Sequence, residues 1–251
     1  MIAKEKLNIL WSLEQTAEKY EDRVAVSDVN QEMTWKGLVK KAQVIGAELS
    51  KKVQPGNPIP VLLEKSSETL AVMLGIVYAG CFYVPVNPMN PAERLRKIME
   101  KLEPEVIISD EKGKEQLAVV GVGLEEKVIG PETLLPTTGT DLSEEQRSKL
   151  EQIQGQWKET DALYGIFTSG STGTPKAIVV SHGAVSRFVR HFTEIFEITS
   201  ADVIGNQAPF DFDVSVKDIY TGLLTGAKVQ IIPREYFSDP TTLMDYMADS
   251  K

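Results

Sequence analysis

The sequence predicts an α/β fold in which mostly parallel sheets are flanked by helices. Three observations predict it. Segments with helical spacing alternate with short apolar runs, the pattern that builds a parallel sheet through helical crossovers. The runs around residues 162–166 and 177–180 are continuous in apolar residues, as short buried strands are. Finally, 251 residues with 42% hydrophobic content suffice to bury a sizeable core.

The elements follow in order. Leu7 to Tyr20 has the spacing of an amphipathic helix, and Val24 to Ser27 reads as a strand. Leu38, Ile45 and Leu49 mark a helix within Thr34 to Lys51. Ile59 to Leu63 reads as a strand, and Ser67 is the expected cap of a helix running to Ala79. Phe82 to Val86 is a strand; Pro91 opens a helix ending near Leu102; Val106 to Ser109 is a strand. Gly130 to Lys158 changes character, being rich in Thr, Glu, Gln and Ser, and reads as a surface connection with one polar helix. Beyond it, helices are expected at Ala184 to Ile195, Val214 to Leu224 and Thr241 to Met247. Strands are expected at Val203 to Ala208 and Val229 to Ile232. This gives a first α/β subdomain over 1–130, a connection over 131–160 and a second α/β subdomain over 161–251.

Bulk properties exclude several functions. A net charge of −9 argues against a broad nucleic-acid or anionic-membrane surface. The single cysteine, Cys81, excludes an intrachain disulfide and fits a reducing cytoplasm. It lies in an apolar stretch and reads as a small buried hydrophobe. With His182 and His191 the only histidines, no zinc-ligand spacing is available. Leu70 to Val86 is uncharged, but Gly75, Gly80 and Pro85 interrupt it, so it reads as a buried helix and strand rather than a membrane span.

The most informative stretch is Phe167-Thr168-Ser169-Gly170-Ser171-Thr172-Gly173-Thr174-Pro175-Lys176. Its glycines let the backbone approach a ligand, its hydroxyls and N–H groups suit phosphate oxygens, and its lysine supplies charge. It departs from a Walker loop, because two residues separate Gly173 from Lys176 and a strand follows rather than a helix. The alternative is a solvated hairpin loop.

Tyr164 to Gly183 resembles the signature loop of the adenylate-forming enzymes. These include adenylation domains of nonribosomal peptide synthetases, D-alanine–carrier-protein ligases, acyl-CoA synthetases and luciferases. Ala177 stands where that family usually has glycine. Thr34-Trp35-Lys36-Gly37-Leu38 and Ala79-Gly80-Cys81-Phe82-Tyr83-Val84-Pro85-Val86-Asn87 resemble two structural elements of the family, Asn87 replacing the usual aspartate. The resemblance implies the N-terminal portion of the family's large domain, with Thr168, Ser169, Gly170, Ser171, Thr172, Gly173 and Lys176 holding the phosphates of ATP.

Phe212-Asp213-Val214-Ser215 resembles the Phe-Asp-x-Ser element of amino-acid-activating members. There the aspartate pairs with the substrate's α-amino group and the aromatic residue borders the acyl pocket. A buried ammonium needs such a partner. The alternative is that Asp213 caps the following helix, with Asp211 as a competing candidate. Lys217 lies where related domains line the side-chain pocket and would suit an acidic substrate; the alternative is a solvated lysine. The implied reaction forms an aminoacyl-adenylate from ATP and an amino acid, then loads the phosphopantetheine thiol of a carrier protein. An acid–CoA ligase, or a non-catalytic nucleotide-binding or interaction fragment, are the competing readings. The family's catalytic unit is about twice as long as this chain. No catalytic residue is therefore assigned here, the Mg2+ ligand is expected in the C-terminal half of the enzyme, and the chain alone is expected to be inactive or nearly so.

Overall fold

The computed structural model describes residues 7–121, 123–135, 141–168 and 175–250. The elements begin with α1 (Ile9–Lys19), β1 (Val24–Ser27), β2 (Glu32–Thr34), α2 (Trp35–Leu49), β3 (Pro58–Leu62), α3 (Ser67–Tyr78) and β4 (Phe82–Pro85). Next come α4 (Ala92–Leu102), β5 (Ile107–Ser109), α5 (Glu111–Val120), β6 (Val128–Ile129), α6 (Glu144–Gln154), β7 (Ala162–Thr168) and β8 (Lys176–Ser181). The last are α7 (His182–Phe196), β9 (Val203–Asn206), α8 (Val214–Thr225), β10 (Lys228–Ile231) and α9 (Pro240–Asp249). The α/β class holds: of eight strand pairings among the described residues, six are parallel.

The chain separates into two units. One comprises Met1–Val39, Lys65–Leu70 and His182–Lys251, the other Lys40–Glu64 and Ala71–Ser181. The first unit holds a four-stranded sheet ordered β2-β1-β10-β9. Its central pairing joins distant sequence in parallel, Val26 opposite Val229. Helix α1 packs on α7 and α8 and is capped by Asn8, whose side chain accepts from the N–H groups of Leu10 and Trp11. Its start also touches α7: the Ile9 N–H donates to His182 Nδ1 at 3.3 Å.

The second unit holds a six-stranded sheet ordered β6-β5-β3-β4-β7-β8, parallel except for the final pair. Strand β3 is interior yet carries Pro58 and Pro60, which donate no hydrogen bond. The register accommodates them, because β5 pairs only with Val61 and Leu62. Leu95, Ile98 and Met99 of α4 are buried at helical spacing in a cluster with Leu62, Val84, Val86 and Ile107, and Phe167 packs against that cluster. The segment Ala71–Ala79 is buried at every position. That accounts for the uncharged run, and no helix among the described residues is long and apolar enough to cross a membrane. Cys81 is 2% exposed, and burial pushes its thiol up to about 11, as befits an inert packing residue.

Three elements escape the periodicity reading: β2, β6 and α5. One cap differs as well. Ser66, not Ser67, accepts the Thr69 N–H at the start of α3, whereas the Ser67 hydroxyl donates to Asp28 Oδ2 at 2.5 Å. The expected polar helix is α6, closed by a reciprocal capping box between Ser143 and Gln146.

Two predictions follow from the packing. A Cβ at Gly46 would lie 2.5 Å from Tyr78 Cβ and 2.9 Å from the Gly75 carbonyl oxygen. Gly46→Ala is therefore expected to destabilise the fold by about 1–3 kcal/mol in urea unfolding, despite alanine's better helix propensity. Burial lowers the His182 pKa from 6.5 to about 4, so between those values the unfolded chain binds more protons than the folded one. Its contribution is complete above about 6.5 and is lost as pH falls toward about 4. Unfolding free energy measured across that window should fall more steeply for the natural chain than for His182→Gln.

Candidate functional site

The second unit carries the phosphate-loop candidates. Strands β7 and β8 form an antiparallel ladder that runs from Ala162 opposite Ser181 to Thr168 opposite Lys176. Leu163 to Ile166 are buried, and Tyr164 stacks on Tyr83 of β4 with centroids 6.0 Å apart. The base of the hairpin is thus fixed in the sheet, and its open end presents exposed Thr168 and Lys176 side by side. A strand does follow the loop, as its difference from a Walker loop implies. Ser169, Gly170, Ser171, Thr172 and Gly173 lie outside the described residues.

The first unit carries Phe212, Asp213 and Lys217. A turn places them: the Phe212 N–H donates to the Pro209 carbonyl at 3.1 Å, and the Ser215 hydroxyl donates to the Phe212 carbonyl at 2.7 Å. Phe212 is 58% exposed. Asp213 occupies the N-cap position of α8 but has helical backbone angles, φ −60° and ψ −25°, and its side chain makes no capping hydrogen bond. A capping aspartate normally sits in extended backbone and bonds the helix N–H groups. The carboxylate of Asp213 is therefore not engaged in holding the helix, and Asp211 lies in the turn before it.

Around Asp218 of α8 is a polar cluster of which sequence reasoning singled out only Lys217. Lys217 Nζ lies 2.9 Å from Asp218 Oδ1 and 5.7 Å from the centroid of the Phe192 ring. Asp218 is 6% exposed, and its Oδ2 accepts from Asn206 Nδ2 at 3.2 Å. Lys65 Nζ donates to the carbonyls of Asn206 at 3.1 Å and Gln207 at 2.7 Å. Burial lowers the Lys65 pKa to about 8, against the opposing pull of Asp218 and Glu235. The only sequence signal was an aspartate in the middle of an otherwise apolar helical stripe, at Asp218.

Residues 13–251 match the AMP-binding enzyme family, and the chain belongs to it. Tyrocidine synthase 1 of Brevibacillus parabrevis is 29% identical over 239 residues, covering 95% of this chain and 21% of that protein. The D-alanine–D-alanyl carrier protein ligase of Bacillus velezensis is 29% identical over 253 residues, covering 98% of this chain and 46% of that protein. Among solved structures, the nonribosomal peptide synthetase FmoA3 in its AMPPNP-bound form superposes with a TM-score of 0.81 at 25% identity. That match covers 97% of this chain and 25% of that one. This chain thus spans less than half the length of each of these relatives.

The polar cluster makes a stability prediction. Asp218→Ala leaves a buried asparagine amide without its acceptor and Lys217 without its carboxylate, and should cost about 2–4 kcal/mol. Lys217→Met keeps the Asn206 bond but strips a nearly buried carboxylate of its paired cation, and should cost less, about 1–2 kcal/mol. Chemical denaturation of the two variants side by side checks the contrast.

Proposed function

We propose that this chain acts in the ATP-dependent activation of an amino acid as its aminoacyl-adenylate, for delivery to the phosphopantetheine thiol of a carrier protein. The observation that carries the reading is the Asp213 carboxylate, placed at the head of α8 yet making no capping bond. Membership of the AMP-binding family supplies the reaction class. The tyrocidine synthase and carrier-protein ligase relatives favour an amino acid as the carboxylate.

In this reading the substrate's α-ammonium pairs with Asp213, and Phe212 borders the acyl side chain. The substrate carboxylate oxygen attacks the α-phosphorus, forming the acyl–phosphate bond as pyrophosphate leaves. Thr168 and Lys176, with Ser169, Gly170, Ser171, Thr172 and Gly173, hold the β- and γ-phosphates, so that positioning and charge stabilisation carry the step. When bound, Mg2+ would supply positive charge to offset that of the phosphates. The described residues include no cluster of three or more His, Cys, Asp or Glu side chains that would hold it, so no ligand is assigned to it here.

Lys217 is proposed to face the substrate side chain next to Phe212. Its ammonium is already met by Asp218, so an acidic substrate must compete with a buried anion for it.

Titration calorimetry tests these roles separately. Lys176→Ala should weaken MgATP binding about tenfold, the loss of one charge-assisted contact, and leave amino-acid binding unchanged. Asp213→Asn should do the reverse. With a non-hydrolysable ATP analogue present, amino acids should bind at least about tenfold more tightly than their desamino acids, since an unpaired carboxylate is costly. Equal binding of alanine and propionate across the panel overturns the amino-acid reading. A preference for acidic amino acids that disappears in Lys217→Ala supports the role given to Lys217; its absence removes that role.

A further inference from the structure

Helix α4 carries two arginines in its first turn and a half, and they are used differently. Arg96, partly exposed, is tied to carboxylates of its own helix, Glu93 and Glu100. Arg94 is half-buried, and among the described residues no carboxylate pairs with it. Instead its Nη2 donates to the carbonyl of Phe167 at 3.3 Å. Phe167 is the residue before Thr168, where β7 meets Lys176 of β8. The placement is not incidental to a mobile side chain. Leu95, next to Arg94, is buried in the same apolar cluster against which Phe167 packs, so one set of contacts fixes both the helix and the strand end.

A guanidinium has five N–H donors, and this contact uses one. Four remain, on a charge that no carboxylate among the described residues neutralises, in a chain with 36 acidic against 27 basic residues. The planar fork matches phosphate oxygens in pairs, as an ammonium does not.

We propose that Arg94 is a second cation of the polyphosphate site, held at the hairpin mouth by the Phe167 carbonyl and donating its remaining N–H groups to the β- and γ-phosphates. Lys176 supplies a point charge from the opposite strand; Arg94 supplies directed bonds. This rests on the nucleotide reading above and adds to it a residue outside the loop.

Titration calorimetry of the full chain with MgATP, pyrophosphate and AMP tests the proposal. Arg94→Met should weaken MgATP and pyrophosphate about tenfold or more and leave AMP within about twofold, consistent with loss of a charge-assisted contact to the outer phosphates alone. Arg94→Lys should recover part of the loss. A purely structural arginine would instead lower the thermal midpoint and weaken all three ligands alike, and that outcome overturns the proposal. So does unchanged MgATP and pyrophosphate binding in Arg94→Met while Lys176→Ala weakens both, a result that leaves the nucleotide reading standing. If the unsubstituted chain binds none of the three, the nucleotide reading falls and this inference with it.

Discussion

The antiparallel pairing of β7 with β8 is the contact on which the rest of the second unit's chemistry depends. Every other strand pair in that sheet is parallel and needs a long crossover to connect it. An antiparallel pair is joined by a short loop, so both ends of that loop are fixed by hydrogen bonds within one ladder. Thr168 and Lys176 therefore face each other across adjacent strands of the ladder. Tyr164 on Tyr83 and Phe167 on the α4 cluster carry this rigidity into the apolar interior. The proposed role in holding phosphate would need such a base, because that chemistry asks for position rather than for a reactive side chain.

The first unit solves a different problem, that of keeping charge within a helix whose head carries another carboxylate. Asp218 is nearly buried and is met by Lys217 and the Asn206 amide. Lys65 is held by two carbonyls rather than by a carboxylate, which is why its burial shows as a depressed pKa. The internal pairing leaves Asp213, at the head of the same helix, as a carboxylate that the helix itself does not use.

The sequence made most of this architecture legible because strong periodicity and continuous apolar runs leave few alternatives. The buried helix α3 and the amphipathic α4 are cases in point. What it concealed was short or tertiary. Strand β6 is two residues long and exists only because Ile107 and Ile108 offer it an edge. Helix α5 combines charged residues with a weak apolar stripe, so its pattern is faint, and its cap at Asp110 becomes evident only from the bond to the Gly113 N–H. Adjacent serines at 66 and 67 are equally good caps by composition; the demand of Asp28 for the Ser67 hydroxyl decides between them. The loop, Phe212, Asp213 and Lys217 stood out by residue type. Arg94 and Asp218 did not, since their significance lies in partners far along the chain or hidden by the fold.

The pairing of Val26 with Val229 has a further consequence, for the order in which the molecule comes together. Closing a chain of some 200 residues costs only modestly more than closing a short one, because the entropy grows with the logarithm of length. Time is a different matter. On a ribosome adding on the order of 10 residues per second, β1 and β2 would wait about 20 seconds for the strand that completes their sheet. Over that interval Val26 and its neighbours have an unfilled edge, the condition that invites pairing with the wrong chain. The strands of the six-stranded sheet all precede α7, so that sheet can close first. The nascent protein would then carry a finished β7–β8 hairpin while the turn at the head of α8 was still being made.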